Sequence, residues 1–451
     1  MSAPKQAVVV GAGPNGLAAA ITLAQGGWRV TVLEAGEQIG GGCRTAELTL
    51  PGYGHDVCSA IHPMAVLSPF FRALPLAANG LEWIEPPLAL AHPFDDGSAA
   101  LVYRSLERTA EGLGADGLAW RRLIGATARA WDQIAPWVLG PPRWPPGNPP
   151  AVLKFGLRAW RPAAALARAF ATARARGLWA GLAAHSMLPL EARPSAAYGL
   201  VLGAAAHLTA WPLPRGGSQA ITRALAAHFR ALGGTVQTGV RVQDGREAAQ
   251  ADAVVATIAP RQLAEWTTLP ERERRRLRQY RLGPGVCKVD WALAGPIPWT
   301  ARECAQAGTV HLGGTWEEIA AAERAPWHGQ AAPRPFVLLT QPTQFDPSRA
   351  PAGGHIAWAY CHMPNGSARD ASAAIEAQIE RFAPGFQRLV LARHVLTAAE
   401  LEQYNGSLAG GDIGGGAQDL ASWTRRFWHG YRTASPKIFL GSAAAPPGAG
   451  V

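Results

Sequence analysis

Cysteine is scarce in this chain and never patterned. Cys43, Cys58, Cys287, Cys304 and Cys361 are odd in number, with no CxxC pair and no metal-ligand spacing. That excludes a disulfide framework and a zinc cluster, so no metal is expected, and it fits free thiols in a reducing compartment. Acidic residues are missing altogether between Asp132 and Glu191, where Arg143, Lys154, Arg158, Arg161, Arg168, Arg174 and Arg176 stand unopposed. The net charge is +10, yet no nucleic-acid-reading module accompanies it, so nucleic acid is not an expected partner. A secretory signal and a mitochondrial presequence are both missing before the first apolar run, which makes a bacterial cytoplasm the expected location. A long membrane span is lacking too. The nearest candidate, Ala196 to Leu213, is rich in Ala and Gly, contains His207 and includes Trp211-Pro212 near its end; a buried helix is expected there.

What is present begins at the N-terminus. Ala7-Val8-Val9-Val10 runs into Gly11-Ala12-Gly13-Pro14-Asn15-Gly16, and Val30-Thr31-Val32-Leu33 ends on Glu34, 18 residues past the third glycine. Strand, GxGxxG, helix, strand and acid in that order predict a βαβ dinucleotide-binding unit. Gly11 permits the tight turn. Gly13 lets the backbone approach a pyrophosphate, whose charge a helix N-terminus stabilises. Gly16 permits close helix–strand packing, and Glu34 can accept hydrogen bonds from ribose hydroxyls.

A second glycine turn, Gly40-Gly41-Gly42-Cys43-Arg44-Thr45, comes six residues after Glu34. A nicotinamide-binding domain would usually pass straight into another helix and strand. A turn carrying an arginine instead suits a cofactor that continues past its pyrophosphate into a flavin, with amides and Arg44 clamping phosphate oxygens. This resembles the FAD-dependent amine oxidase and phytoene desaturase superfamily, where a GG-x-R-[ST] element follows the ribose-binding acid. Further segments resemble its phytoene desaturase-like branch, which has mitochondrial as well as bacterial members. They are Pro212-Leu213-Pro214-Arg215-Gly216-Gly217, Gly283-Pro284-Gly285-Val286-Cys287-Lys288-Val289-Asp290, Pro296-Ile297-Pro298-Trp299, Trp358-Ala359-Tyr360-Cys361-His362 and Gly410-Gly411-Asp412-Ile413. The resemblance implies FAD as cofactor, held by Gly11, Gly13, Pro14, Asn15, Gly16, Glu34, Ala35, Gly41, Gly42, Arg44 and Thr45, with Val242 at the adenine and Gly441, Gly448 and Gly450 beside the flavin. It also implies an α/β fold: a Rossmann-type FAD domain, discontinuous in sequence, plus an α+β substrate domain with an antiparallel sheet and a helical insertion.

Expected boundaries follow the composition. Residues 1–62 give the first part of the FAD domain, and residues 63–210 read as mostly helical, interrupted by a proline-rich segment at 141–150. Residues 211–286 return to the FAD domain, with short strands expected at Thr235–Gln237, Val240–Val242 and Ala253–Ala256. Residues 287–434 alternate like an antiparallel sheet, and residues 435–451 supply a last strand and a flavin-contact loop. In relatives a further helix follows that loop. Here the chain is expected to be truncated, with weakened FAD binding and little turnover.

The acid-free stretch also carries Trp137, Trp144, Phe155, Trp160, Phe170 and Trp179. Leu166, Phe170, Ala173 and Gly177 share one helical face, so 143–180 is a candidate for peripheral contact with an anionic membrane. Disulfide reduction is disfavoured by the cysteine spacing and by the lack of a second dinucleotide fingerprint. Electrons from a reduced flavin must then pass to oxygen, a quinone or a protein. The remaining chemistry is removal of a hydride equivalent from a C–H bond of an apolar substrate. An amine oxidase, a flavin-dependent isomerase and a non-enzymatic escort protein are the alternatives on the same scaffold. Asp56, His62, His185 and His362 are the polar candidates for catalysis, Asp56 more as an organiser of its loop.

Overall fold

A continuous apolar run such as Ala7–Val10 is what a strand covered on both faces requires, and it takes the centre of a parallel sheet. The computed structural model describes residues 4–140, 145–248 and 250–448. Five strands order as Ile438–Leu440, Ala253–Ala256, Gln6–Val10, Arg29–Leu33 and Thr235–Gln237, all parallel, with Val10 opposite Leu33 on one side and Ala256 on the other. Helix Pro14–Gln25 makes the first crossover; its Leu17, Ala20 and Ile21 bury against Ile221, Leu225 and Phe229 of helix Gln219–Ala231. Residues Val240–Val242, expected as a strand, are not one. The chain turns at Gly239 (φ 72°), and the Val240 amide donates to the Glu34 carbonyl at 2.8 Å, so the segment crosses the end of the Glu34 strand instead of running beside it.

The second sheet has seven strands: Val390–Leu396, Gly285–Leu293, His355–Met363, Val337–Thr340, Ala307–Leu312, Leu88–Pro93 and Ala99–Val102. It is mixed, because Ala307–Leu312 and Leu88–Pro93 pair in parallel, while its other pairs are antiparallel. Two of these strands come from the stretch that reads as helical. Leu88–Pro93 is buried at every position, so it shows no polar alternation and gives no period-two signal. Side chains alternate across the long central strand. Cys287, Val289 and Trp291 face an apolar core with Ile375, Ile379 and Phe382 of helix Ser372–Phe382, and the other face carries Lys288 and Asp290.

Helices from the 63–210 stretch cover that sheet around Ile124, Trp179 and Leu200. Helix Ser195–Thr209 is rich in small residues for a packing reason: a Cβ at Gly199 would lie 2.7 Å from the Trp179 ring, and one at Gly203 would lie 3.0 Å from Ile124. Among the described residues no helix is long and apolar enough to cross a membrane. The amphipathic face expected at Leu166–Gly177 is corrected by the structure. Asp116 accepts the amides of Ala171 and Thr172 at 2.7 and 2.8 Å and breaks the run between helices Ala163–Ala167 and Ala173–Ala184, and Leu166, Phe170 and Gly177 are buried. Ala173, the fourth residue of that expected face, is exposed. Arg143 and Trp144 lie outside the described residues.

Candidate functional site

Parallel strands end together, and ligands of such sheets bind beyond their carboxyl ends. There the first glycine turn is tied to its neighbours. Gly11 takes φ 101° and donates to the Leu33 carbonyl at 2.8 Å. A Cβ at Gly16 would fall 1.9 Å from the Gly11 carbonyl oxygen, so only glycine allows helix Pro14–Gln25 to start this close to the strand. The second glycine turn is fastened to the first: the Gly40 amide donates to the Ala12 carbonyl at 3.1 Å, and a Cβ on Gly13 would sit 3.6 Å from Gly41 Cα. Glu34 closes the loop from below, its Oε2 accepting the Ala12 amide at 2.7 Å and its Oε1 the Gly36 amide at 2.9 Å. Arg44 lies 3.8 Å from Glu34, donates to the Gln38 carbonyl at 2.8 Å, and leaves its buried Nε without a partner.

These turns open on a cavity of about 1570 Å³, beyond the roughly 300–1,000 Å³ of ordinary small-molecule sites. It holds space for an extended dinucleotide and a substrate together. Gly11, Gly13, Pro14, Asn15, Gly16, Glu34, Ala35, Gly41, Gly42, Arg44 and Val242 all line it. Thr45 does not; its hydroxyl donates to Asp56 Oδ1 at 3.0 Å. Gly441 and Gly448 are also outside the lining, and Ser442, Ala443, Ala444 and Pro447 form that wall instead. Gly441 continues the last strand, its amide donating to the Ala256 carbonyl at 2.9 Å. Gly450 lies outside the described residues.

The catalytic candidates separate. Asp56 is buried away from the cavity, where it accepts the Ser218 amide at 2.7 Å and pairs with Arg349 at 3.1 Å; it locks the loop to the rest of the fold. His362 is likewise buried off the cavity, with Nδ1 2.8 Å from both oxygens of Glu323. His62 and His185 do line it. The Ser218 hydroxyl donates to the Ser59 carbonyl, so His62 Nε2–H donates to Ser218 Oγ at 2.8 Å and Nδ1 is left bare. Burial lowers the His62 pKa to about 4. His185 Nε2 lies 3.0 Å from His311 Nε2 with its ring edge-on to Trp211, and burial lowers its pKa to about 3. Both imidazoles are neutral at pH 7.

Sequence reasoning missed Lys288. It lines the cavity, is 2% exposed, forms a buried ion pair with Asp290, and stands 5.6 Å from the Trp358 ring. Asp290 Oδ1 in turn faces His55 Nδ1 at 3.6 Å. Burial raises Asp290 to about 6, against the pull of Lys288, and lowers His55 to about 3. The signal was available: two opposite charges two residues apart in an apolar strand point to one face. Apolar side chains of Ile61, Met187, Val201, Leu202, Trp211 and Leu338 also line the cavity.

Residues 9–74 match the NAD(P)-binding Rossmann-like domain family. Hydroxyneurosporene desaturase of Rhodobacter capsulatus is 33% identical over 150 residues, covering 32% of this chain and 30% of that protein. Over these parts of its length the chain is similar to phytoene desaturase-like oxidoreductases. A rat protein, pyridine nucleotide-disulfide oxidoreductase domain-containing protein 2, is 26% identical over 293 residues, covering 54% of this chain and 49% of its own. The chain thus spans about half or less of the curated relatives it matches. The fold recurs in putrescine oxidase bound to putrescine, with TM-score 0.59 and 19% identity over 98% of this chain and 94% of that one.

Proposed function

We propose that the chain binds FAD across the two glycine turns and removes a hydride equivalent from a C–H bond of an apolar substrate held in the remainder of the cavity. The observation that carries this reading is one continuous cavity with two chemistries. Its first end is backbone turns, Glu34 and Arg44, and its other end is hydrocarbon and aromatic wall. The first end fits FAD on this structure's own terms: Glu34 keeps lone pairs free for ribose hydroxyls, Arg44 Nε is an unmatched donor, and Gly13 has no side chain between backbone and ligand. The flavin, when bound, supplies hydride acceptance at its N5. The chain's residues position the substrate and exclude water around it. Trp211, Leu202 and Leu338 offer a hydrocarbon surface, while His62 and His185, kept neutral, add no charge that an apolar ligand would have to desolvate.

Aromatic wall from Trp358 and Tyr360 beside Lys288 favours a second reading, amine oxidation. Both predict a yellow protein. Anaerobic addition of a polyene such as phytoene, or of an amine such as putrescine, distinguishes them by which one bleaches the flavin band. Product formed without net bleaching identifies an isomerase. A protein that holds no flavin leaves the escort role. Oxygen, a quinone or a protein remains as the acceptor class.

A further inference from the structure

Five of the eight large apolar side chains exposed in the described residues lie on two helices, Pro149–Ala159 and Leu420–His429, or directly after the first. Single exposed apolar residues are ordinary; a contiguous set needs an explanation. Leu153, Leu157 and Trp160 fall at i, i+4 and i+7, one stripe of the first helix, and are 64%, 68% and 45% exposed. One residue along, Lys154, Arg158 and Arg161 repeat the same spacing and form a cationic stripe beside it. The second helix also exposes apolar side chains, Leu420 and Trp428 (86% exposed), with Arg425 one turn before Trp428. Trp160, directly after the first helix, meets Trp423 of the second at 6.1 Å between ring centroids, and Trp137 of the neighbouring helix Trp131–Val138 meets Phe427 at 5.9 Å.

Both helices also wall the cavity. Val152, Phe155, Leu157 and Trp160 line it from one, Trp423 and Phe427 from the other. Acids near this face are matched: Asp419 pairs with Arg281, and Glu265 with Arg278 at 3.3 Å. An exposed apolar stripe bordered by cations, on a helix lying along the surface, is the arrangement that beds into the headgroup boundary of an anionic bilayer. We propose that these two helices dock the cavity mouth onto an anionic lipid membrane, so that an apolar substrate passes from the bilayer into the cavity without crossing water. The passage of substrate rests on the functional reading above; the docking does not.

The partner is chosen by charge. A second copy of this chain would bring Lys154, Arg158, Arg161 and Arg425 against the same cations in a symmetric contact. Anionic phospholipid meets them with opposite charge, each cation near the surface adding attraction that salt screens. Lys154, Leu157, Arg158, Trp160 and Arg161 lie within the 143–180 stretch expected from sequence, whereas Leu166, Phe170 and Gly177 of that stretch are buried and helix Leu420–His429 lies outside it.

Flotation tests this on the purified protein, with vesicles of phosphatidylcholine containing one quarter phosphatidylglycerol and with phosphatidylcholine alone. The protein is expected to float with the anionic vesicles at low salt and to stay at the bottom with the neutral ones. Raising salt to 0.5 M should lower the floating fraction several-fold. The pair Leu157→Ser and Trp428→Ser, and separately Lys154→Glu with Arg425→Glu, should each reduce it at least fivefold, while Leu391→Ser, an exposed apolar residue elsewhere, should leave it unchanged. Thermal midpoints and circular dichroism confirm that each variant is folded. No flotation at low salt, or flotation that all these variants retain, overturns the proposal. So does a dimer in light scattering that the first pair dissociates, because a second copy then covers the face. Flavin bleaching is read separately: a protein that floats but is bleached by no apolar compound overturns the functional reading and leaves the docking standing.

Discussion

At the scale of single residues the site depends on a few charges, some at the cavity wall and some fully buried. Glu34 tests the first of these. It already binds two amides of the turn, and its remaining lone pairs face the cleft. Glu34→Ala should therefore weaken FAD binding by about 1–3 kcal/mol, the range for losing hydrogen bonds to a charged group, as measured by fluorescence titration with FAD. Lys288 and Asp290 test the second. Removing one partner of a buried ion pair leaves the other uncompensated, so Asp290→Ala should destabilise the fold by about 3–5 kcal/mol in urea unfolding. Lys288→Met combined with Asp290→Leu should recover most of that loss, since the apolar replacement leaves no bare charge. A double variant no more stable than Asp290→Ala would show that the pair contributes by something other than mutual neutralisation.

At the scale of elements, how much could be read in the sequence depended on how locally the signal was written. The βαβ unit was legible because turn, helix start and ribose acid lie within one stretch, and the structure sets Gly11, Gly16 and Glu34 in the geometry their residue types require. Strand Leu88–Pro93 was not legible, because full burial removes the alternation that marks a half-covered strand. Thr45 carried a motif position, yet its hydroxyl bonds Asp56, a contact that depends on how the hairpin folds back. Lys288 was passed over because its cavity position comes from sheet register, with Tyr360 opposite on the neighbouring strand. The glycine turns give an element-scale prediction. Gly16→Ala should prevent the helix from closing on the strand, because its methyl would lie 1.9 Å from the Gly11 oxygen, and both thermal midpoint and flavin content should fall. A Cβ at Gly13 meets only Gly41, its Cα at 3.6 Å and its nitrogen at 4.0 Å, both ordinary contacts, so Gly13→Ala should keep the thermal midpoint of the ligand-free protein. Equal thermal losses in the two variants would contradict this division of roles.

At the scale of the whole molecule, burial has placed several histidines where they cannot be charged, and stability should follow. His55 and His185 are lowered from 6.5 to about 3, and His62 and His92 to about 4. Between these values and 6.5 the unfolded chain binds protons that the folded chain does not, so stability rises with pH in that window. It is fully present above pH 6.5 and is lost as pH falls toward 4. Asp290 acts in the opposite sense: raised to about 6, it takes up a proton in the folded state first and offsets part of the loss. Burial raises Asp412 as well, but four imidazoles outweigh these two carboxyls, and urea midpoints should decline from pH 7 through 5.5 to 4.5; a flat or rising series would contradict the assignment of neutral buried histidines. The functional reading joins all three scales, since a cavity with a dinucleotide end and a hydrocarbon end has a purpose only if a flavin fills the first. Equilibrium titration of the flavin-free protein with FAD, in parallel with Gly13→Val, tests that most directly. Saturable binding of one FAD per chain by the wild type, lost in the folded Gly13→Val variant, is the expected result. Absence of saturable binding, or equal binding by the two proteins, would contradict it.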